Sequence, residues 1–226
     1  MSTSDNNKVS KDVSVFFDGY AHDFSSIYLE DTKKRSAFNK LMDKMYRFDI
    51  QDRFDRTLAE SSKESIKSVL DVGCGPGHFV IKFLEQNKKV TALDIAPSML
   101  DITKKRVDKL FPDSDVQYIL DDYANYEFSE TFDAACVMGF FDYVEDPVKV
   151  LKKLLKDINK EIYISIPGNK GLLAFQRKIR YNLRNCPLYL YKETDLTKYL
   201  EQAGCIDFTE IQPMERGYYL VIRKPS

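Results

Sequence analysis

At 226 residues the chain is long enough for one complete α/β domain with a modest cap, and too short for two substantial domains. Its 34 basic and 35 acidic residues leave a formal charge of -1, which supplies no global field for nucleic acid or an anionic membrane. The polar start MSTSDNNKVSKD has no apolar signal core, no stretch approaches the roughly 20 apolar residues of a bilayer span, and four scattered cysteines (Cys74, Cys136, Cys186, Cys205) form no C-x-x-C pair. The expectation is a cytoplasmic protein with buried thiols, no metal site, no nucleic-acid partner and no stable membrane insertion.

Residues 1–12 are expected to be disordered. The next segment, 13–60, is charged and aromatic with apolar residues at helical spacing, among them Phe38, Leu41, Met42, Met45, Phe54 and Leu58. It reads as a helical cap across the mouth of a later domain, with a break at Gly19 near Tyr20. From residue 61 to 226 short β-branched runs alternate with amphipathic helices. Strands are predicted over Lys67–Val72, Lys89–Asp94, Val116–Leu120, Phe132–Met138 and Glu161–Ile166. Helices are predicted over Gly77–Gln86, Pro97–Leu110 and Pro147–Asp157. Repeated βα units imply a parallel sheet covered by helices on both faces. A helix over Glu193–Ala203, stopped by Gly204, is followed by strands Ile206–Gln212 and Tyr218–Arg223 joined through Pro213–Gly217. So short a connection makes an antiparallel hairpin and adds a reversed strand at the C-terminus. The fold class is therefore α/β, a Rossmann-like, mainly parallel seven-stranded sheet with a C-terminal antiparallel strand.

The segment VLDVGCGPGH, residues 69–78, puts a glycine turn at the carboxyl end of the first strand, where open α/β sheets bind ligands. Gly73, Gly75 and Gly77 let the backbone turn sharply and approach a ligand closely. Asp94 closes the second strand, where a carboxylate can accept both hydroxyls of a ribose. The dinucleotide fingerprint G-x-G-x-x-G is not met, because His78 stands where its third glycine would fall. Asp71, two residues before the first glycine, sets a negative charge that suits a cationic amino-acid end better than a pyrophosphate. The pattern favours S-adenosylmethionine over NAD.

VLDVGCGPG resembles the first motif of the class I S-adenosylmethionine-dependent methyltransferases, and ALDIAPSML resembles their second. Asp121-Asp-Tyr-Ala124 is similar to the acidic turn that holds adenine, and Phe132-Asp-Ala-Ala-Cys-Val137 to the fourth-strand motif. The resemblance covers roughly Ser68 to Lys224. It implies that Asp71, Gly73, Gly75 and Gly77 face the methionine portion, that Asp94 takes the ribose and that Ile95 packs on the adenine, with Cys74 and Met99 also among the cofactor-binding residues. Asp122, or the adjacent Asp121, accepts from the adenine amino group, Tyr123 supplies a backbone N–H, and Met138 and Gly139 line the floor near the sulfonium. FFDGYAHDFSSIY and SIPGNKGLLAFQRKIR look like flanking segments of methyltransferases acting on small metabolites.

On the acceptor side, Gly139-Phe-Phe-Asp-Tyr143 follows the fourth strand. Asp142 or Tyr143 would hold or deprotonate the acceptor, with Phe141 beside it, unless the segment is only a surface turn. His22 is a further candidate base. Tyr20 and Tyr28 would close over the methionine carboxylate or the acceptor, or simply pack the cap. An insertion at 168–191 carries Lys170, Arg177, Lys178, Arg180 and Arg184 without an acid among them, with Phe175, Tyr181, Tyr189 and Tyr191 interleaved. Such a lid suits an anionic or ring-bearing acceptor touched by Arg177, Arg180 and Tyr181, or is a solvated helix face. The reading is methyl transfer to O, N or C of a small molecule; an NAD-dependent oxidoreductase and a non-catalytic S-adenosylmethionine-binding module are the alternatives.

Overall fold

The computed structural model describes residues 11–18, 51–169 and 187–225. Residues 11–18 form helix α1 and residues 51–61 helix α2. Lys11 and Asp12 are thus helical where the sequence predicts disorder over 1–12. The cap residues 19–50, with the expected break at Gly19, lie outside the described residues. The domain that follows runs β1 (Ser68–Val72), α3 (His78–Glu85), β2 (Lys89–Asp94), α4 (Pro97–Leu110), β3 (Gln117–Leu120) and β4 (Phe132–Val137). A 3-10 turn (Phe141–Tyr143), α5 (Pro147–Asp157) and β5 (Ile158–Pro167) come next. After the insertion the chain continues with α6 (Glu193–Ala203), a 3-10 turn (Ile206–Phe208), β6 (Thr209–Met214) and β7 (Gly217–Arg223).

The seven strands form one sheet in the order β3-β2-β1-β4-β5-β7-β6. The first five are parallel to their neighbours, and β7 runs antiparallel to both β5 and β6. Chain order departs in opposite directions from β1, toward β2 on one side and β4 on the other, which makes the carboxyl end of β1 the switch point of the sheet. Successive residues of the central strands feed two cores. Val69, Ala134, Cys136, Tyr219 and Val221 pack under α3 and α4, with Leu58 of α2 against them. Leu70, Ala135, Val137, Leu220 and Ile222 pack under α5 and α6. Covered on both faces, β1, β2 and β4 are buried at nearly every position rather than at alternate ones.

Element ends follow local chemistry. Pro97 and Pro147 open α4 and α5, where the missing N–H costs nothing, and Asp146 Oδ1 accepts from Lys149 N at 3.0 Å. Gly204, at φ 78°, ends α6 in the left-handed conformation. The C-terminal hairpin differs from its sequence reading. Ile206–Phe208 is a 3-10 turn rather than strand, and β6 extends through Pro213 to a two-residue turn at Glu215 and Arg216. Proline is tolerated there because β6 is the edge strand. Likewise β5 begins at Ile158, not Glu161, since fully buried Ile158 already pairs with Phe132.

A buried polar knot fastens the turn after β3 to α5. Tyr123 Oη donates to Asp157 Oδ2 at 3.0 Å, Lys153 Nζ lies 3.0 Å from the same oxygen, and that ammonium stands 5.1 Å from the Tyr123 ring centroid. The Lys153 and Asp157 side chains are 9% and 3% exposed, so the pair is shielded from water. Lys153→Met leaves a buried carboxylate without its counter-charge. It is expected to destabilise the fold by about 3 kcal/mol, read as a lower midpoint in urea denaturation.

Candidate functional site

Between Val72 and His78 the chain turns back toward β2. Gly73 N and Cys74 N both donate to Leu93 O, at 2.8 and 3.0 Å. Behind the turn stands α4: Thr103 Oγ1 donates to Gly75 O at 2.7 Å, and Arg106 Nη1 donates to Pro76 O at 2.5 Å. Gly77 (φ 75°) must be glycine on two counts, since a Cβ there would stand 2.5 Å from Thr103 Cγ2. Gly75 (φ 52°) faces the other way, and a Cβ there would meet nothing within 4 Å. The loop is thus braced from behind and open in front.

Asp94 binds this loop directly. Its Oδ2 accepts from Gly75 N at 2.8 Å and its Oδ1 from Ala96 N at 2.9 Å. The residue is 7% exposed, and burial pushes its carboxyl up to about 6 against the opposing pull of the Ala96, Gly75 and Ile95 amides. Asp71 is buried more deeply, at 2%, and its Oδ2 has no hydrogen-bond partner among the described residues. Burial drives its carboxyl up to about 8, with the Cys136 thiol opposing and the nearby Asp94 adding to the rise. A buried carboxylate oxygen without a donor is a site that a cation would stabilise. His78 does not supply that charge, because burial and the neighbouring Arg106 hold its imidazole down at about 4.

These groups line a cavity of about 270 Å³ at the carboxyl ends of the strands. On the β1–β2 side its wall includes Gly73, Cys74, Gly75, Ile95 and Met99 as well as the two acids. Asp121, Asp122 and Tyr123 form its rim after β3, and Met138 and Gly139 its floor after β4. Tyr123 offers backbone there, its side chain being committed to Asp157. Asp122 Oδ1 accepts from Ala124 N at 3.0 Å and its Oδ2 from Asn125 Nδ2 at 3.1 Å, while Asp121 Oδ1 accepts from Asp122 N at 2.7 Å.

Past β4 the 3-10 turn brings Asp142 and Tyr143 to the same cavity. Asp142 is 4% exposed, so the turn is not a solvated surface loop, and its Oδ2 lies beside Gly139, 3.7 Å from where a Cβ would be. Two expected wall residues stand elsewhere. Phe141 is fully buried in the core beneath the turn, because the left-handed Gly139 (φ 72°) and the 3-10 rotation present Phe140 to the cavity instead. Gly77 sits behind the loop against Thr103, where it permits close packing and does not reach the cavity. Tyr20, His22, Tyr28, Arg177, Arg180 and Tyr181 lie outside the described residues.

Other wall residues escape the sequence reading. Phe17 of α1 meets the Tyr143 ring edge-on at 5.4 Å, and Arg53 and Phe54 of α2 face the cavity. Asp18 Oδ1 accepts from Ser98 N and Oγ at 3.1 and 2.6 Å, capping α4 in place of Ala96, which has no side-chain acceptor. Tyr191, at the base of the insertion, donates within reach of Phe141 O (3.2 Å) and Val144 O (3.0 Å), and Tyr189 N donates to Asp142 O at 2.8 Å. The amphipathic spacing of α2 signals a packed helix without showing which residues face a ligand.

A mainly parallel sheet of this strand order, with a glycine turn after β1 and an acid closing β2, is the class I, Rossmann-like S-adenosylmethionine-dependent methyltransferase fold. Residues 69–160 match the family described as methyltransferase domain. Among curated relatives, the malonyl-[acyl-carrier protein] O-methyltransferase 1 of Ilyobacter polytropus is 32% identical over 116 residues, 50% of this chain and 42% of that protein. The probable cobalt-precorrin-6B C(15)-methyltransferase (decarboxylating) of Methanobrevibacter smithii is 29% identical over 117 residues, 50% of this chain and 63% of that protein. The matched segments therefore span less than two thirds of either relative. The magnesium protoporphyrin IX methyltransferase of Synechocystis PCC 6803, solved with bound SAH, superposes with a TM-score of 0.71 at 18% identity, covering 94% of this chain and 97% of that one.

Asp71 takes up a proton on folding, because its buried carboxyl sits near 8 against about 3.9 in an unfolded chain. The associated stability is complete below pH ~4 and is lost as pH rises toward 8. Asp71→Asn removes that loss. The melting temperature of the variant relative to the unmodified protein should rise between pH 5 and pH 8.5, and a difference independent of pH would show that the native carboxyl is already ionised at pH 5.

Proposed function

We propose that this chain is an S-adenosylmethionine-dependent methyltransferase that methylates a small-molecule acceptor. The observation that carries this reading is the pair of buried acids on one glycine turn. Asp71 presents an unpartnered oxygen suited to an ammonium, and Asp94 closes β2 where a ribose would lie. An NAD pyrophosphate would instead bring negative charge beside Asp71 and lacks the third glycine.

In this reading Asp94 accepts the ribose hydroxyls while keeping its bonds to Gly75 N and Ala96 N, each carboxylate oxygen having capacity for a second donor. Ile95 and Met99 pack against the adenine, the Asp121–Asp122 turn takes its amino group, and Tyr123 contributes its backbone N–H. Gly73, Cys74 and Gly75 run along the methionine portion. Bound cofactor supplies a sulfonium methyl already activated for in-line displacement. The chain's own part is to align the acceptor over Gly139 and to exclude water with Phe17, Phe54 and Phe140, alignment being worth roughly 7–11 kcal/mol. Asp142, with Tyr143 beside it, holds an acceptor hydroxyl or takes its proton, a contribution of about 10²–10⁴-fold.

The division into a cap (13–60), a methyltransferase domain (61–226) and a lid insertion (168–191) accords with this reading. One relative whose name specifies a cobalt-precorrin substrate supports a ring-bearing acceptor, which the basic, aromatic composition of 168–191 would suit. Among the described residues no helix is long and apolar enough to cross a membrane. Buried free thiols at Cys74, Cys136 and Cys205 fit a reducing cytoplasm, and the near-zero net charge speaks against a nucleic-acid partner.

Titration calorimetry tests the reading. S-adenosylhomocysteine should bind at micromolar concentration and NADH should not. Asp94→Asn, which keeps the shape and loses the charge, should weaken binding about 10- to 100-fold, the value of a charge-assisted hydrogen bond. Folded protein that binds no S-adenosylhomocysteine at high micromolar ligand is not this enzyme.

A further inference from the structure

Within the proposed cofactor site, we propose that Arg53 of α2 reads the α-carboxylate of the cofactor's amino-acid end, and so completes with Asp71 a clamp for a zwitterion. Asp71, Cys136 and Tyr163 are register partners across the adjacent parallel strands β1, β4 and β5. Their side chains therefore share one face of the sheet, the face on which Cys136 and Tyr163 pack. Ser165, two residues beyond Tyr163, lies on that same face at the cavity end of β5. Arg53 Nη1 is 3.3 Å from Ser165 Oγ, and Ser165 Oγ also accepts from Gly139 N at 2.9 Å. The guanidinium is thereby tied to the carboxyl ends of β4 and β5, on the same side of the sheet as the Asp71 carboxyl.

The spacing suits the ligand. Asp71 and Ser165 are two strands apart and two residues out of register, roughly 12 Å at the backbone, a gap narrowed by the Asp71 and Arg53 side chains that line the cavity. An α-amino acid with one hydrogen bond at its ammonium and one at its carboxylate spans about 9 Å. The chain between the two anchors is Met138 and Gly139, which line the floor of the cavity. Arginine also matches the task chemically, because its planar fork pairs with both oxygens of a carboxylate.

The helix carrying Arg53 is fixed in place. Thr57 Oγ1 and Tyr219 Oη are 3.1 Å apart in a buried contact, Arg56 Nη1 donates to Gln212 Oε1, and the Phe54 and Phe79 ring centroids are 4.8 Å apart. The other lysine or arginine on the cavity wall among the described residues is Lys149. It stands on α5, in the first turn that Asp146 caps, and not on the Asp71 face of the sheet.

Calorimetry with two ligands isolates the contact. One is S-adenosylhomocysteine; the other is its decarboxylated analogue, which keeps adenosine, thioether and ammonium and lacks only the carboxylate. The unmodified protein is expected to prefer S-adenosylhomocysteine about 10- to 100-fold. Arg53→Met should erase that preference by weakening S-adenosylhomocysteine alone, leaving the analogue within about twofold, while Arg53→Lys should retain part of it. Equal loss for both ligands in both variants, or no loss for either, overturns the role of Arg53 and leaves the cofactor site standing. If the unmodified protein binds neither ligand, the cofactor reading fails and takes this assignment with it.

Discussion

The site depends on one carboxylate held between two loops. Asp94 accepts from Gly75 in the turn after β1 and from Ala96 in the turn after β2, so a single side chain sets the distance between the two surfaces that face the cavity. Its burial is costly, and three backbone amides offset that cost. The cap enters the same balance. Asp18 raises the Asp94 carboxyl through its own charge while it caps α4, and Ser14 Oγ donates to Ile95 O at 3.1 Å. The first helix is thereby bonded to the segment that Asp94 positions.

The brace behind the loop has a different origin. Three left-handed glycines would leave the turn loose if nothing held its carbonyls. Thr103 and Arg106, one turn apart on α4, occupy the carbonyls of Gly75 and Pro76 and direct the remaining polar capacity forward. In front of the loop the His78 imidazole is held neutral and the Asp71 Oδ2 has no donor among the described residues. In the proposed reading a cationic ligand supplies the missing donor and favours the ionised carboxylate, a basis for specificity that a glycine turn by itself cannot supply.

Much of this is legible in the sequence, for identifiable reasons. β2, α4, α5 and α6 have the bounds that their proline, glycine and alternating apolar patterns predict. The glycine turn and Asp94 are legible because their function needs them at short, fixed separations along the chain. Arg53 escapes because its partner lies 112 residues away, and no local pattern encodes a contact between a cap helix and the end of β5. The neighbours Phe140 and Phe141 could not be told apart either. Which one faces the cavity is decided by the φ of Gly139 and the tight 3-10 rotation, and composition records neither.

The Asp142 end of the cavity obeys a different constraint from the Asp94 end. Around Asp94 and Asp71, position is set by strand register and by bonds within the first two βα units. Around Asp142 it is set from outside the strand–loop unit: Tyr189 N holds the Asp142 carbonyl, and Tyr191 Oη holds those of Phe141 and Val144. Tyr191 is itself fixed by a bridge to Gly168 and by bonds linking Pro167 and Asn169 to its backbone, which close the base of the insertion. A change in that insertion would therefore reach the 3-10 turn through three carbonyls without disturbing the glycine loop. The bonds thus separate a half of the cavity fixed by the sheet, around Asp71 and Asp94, from a half tied to the base of the 168–191 insertion, around Asp142.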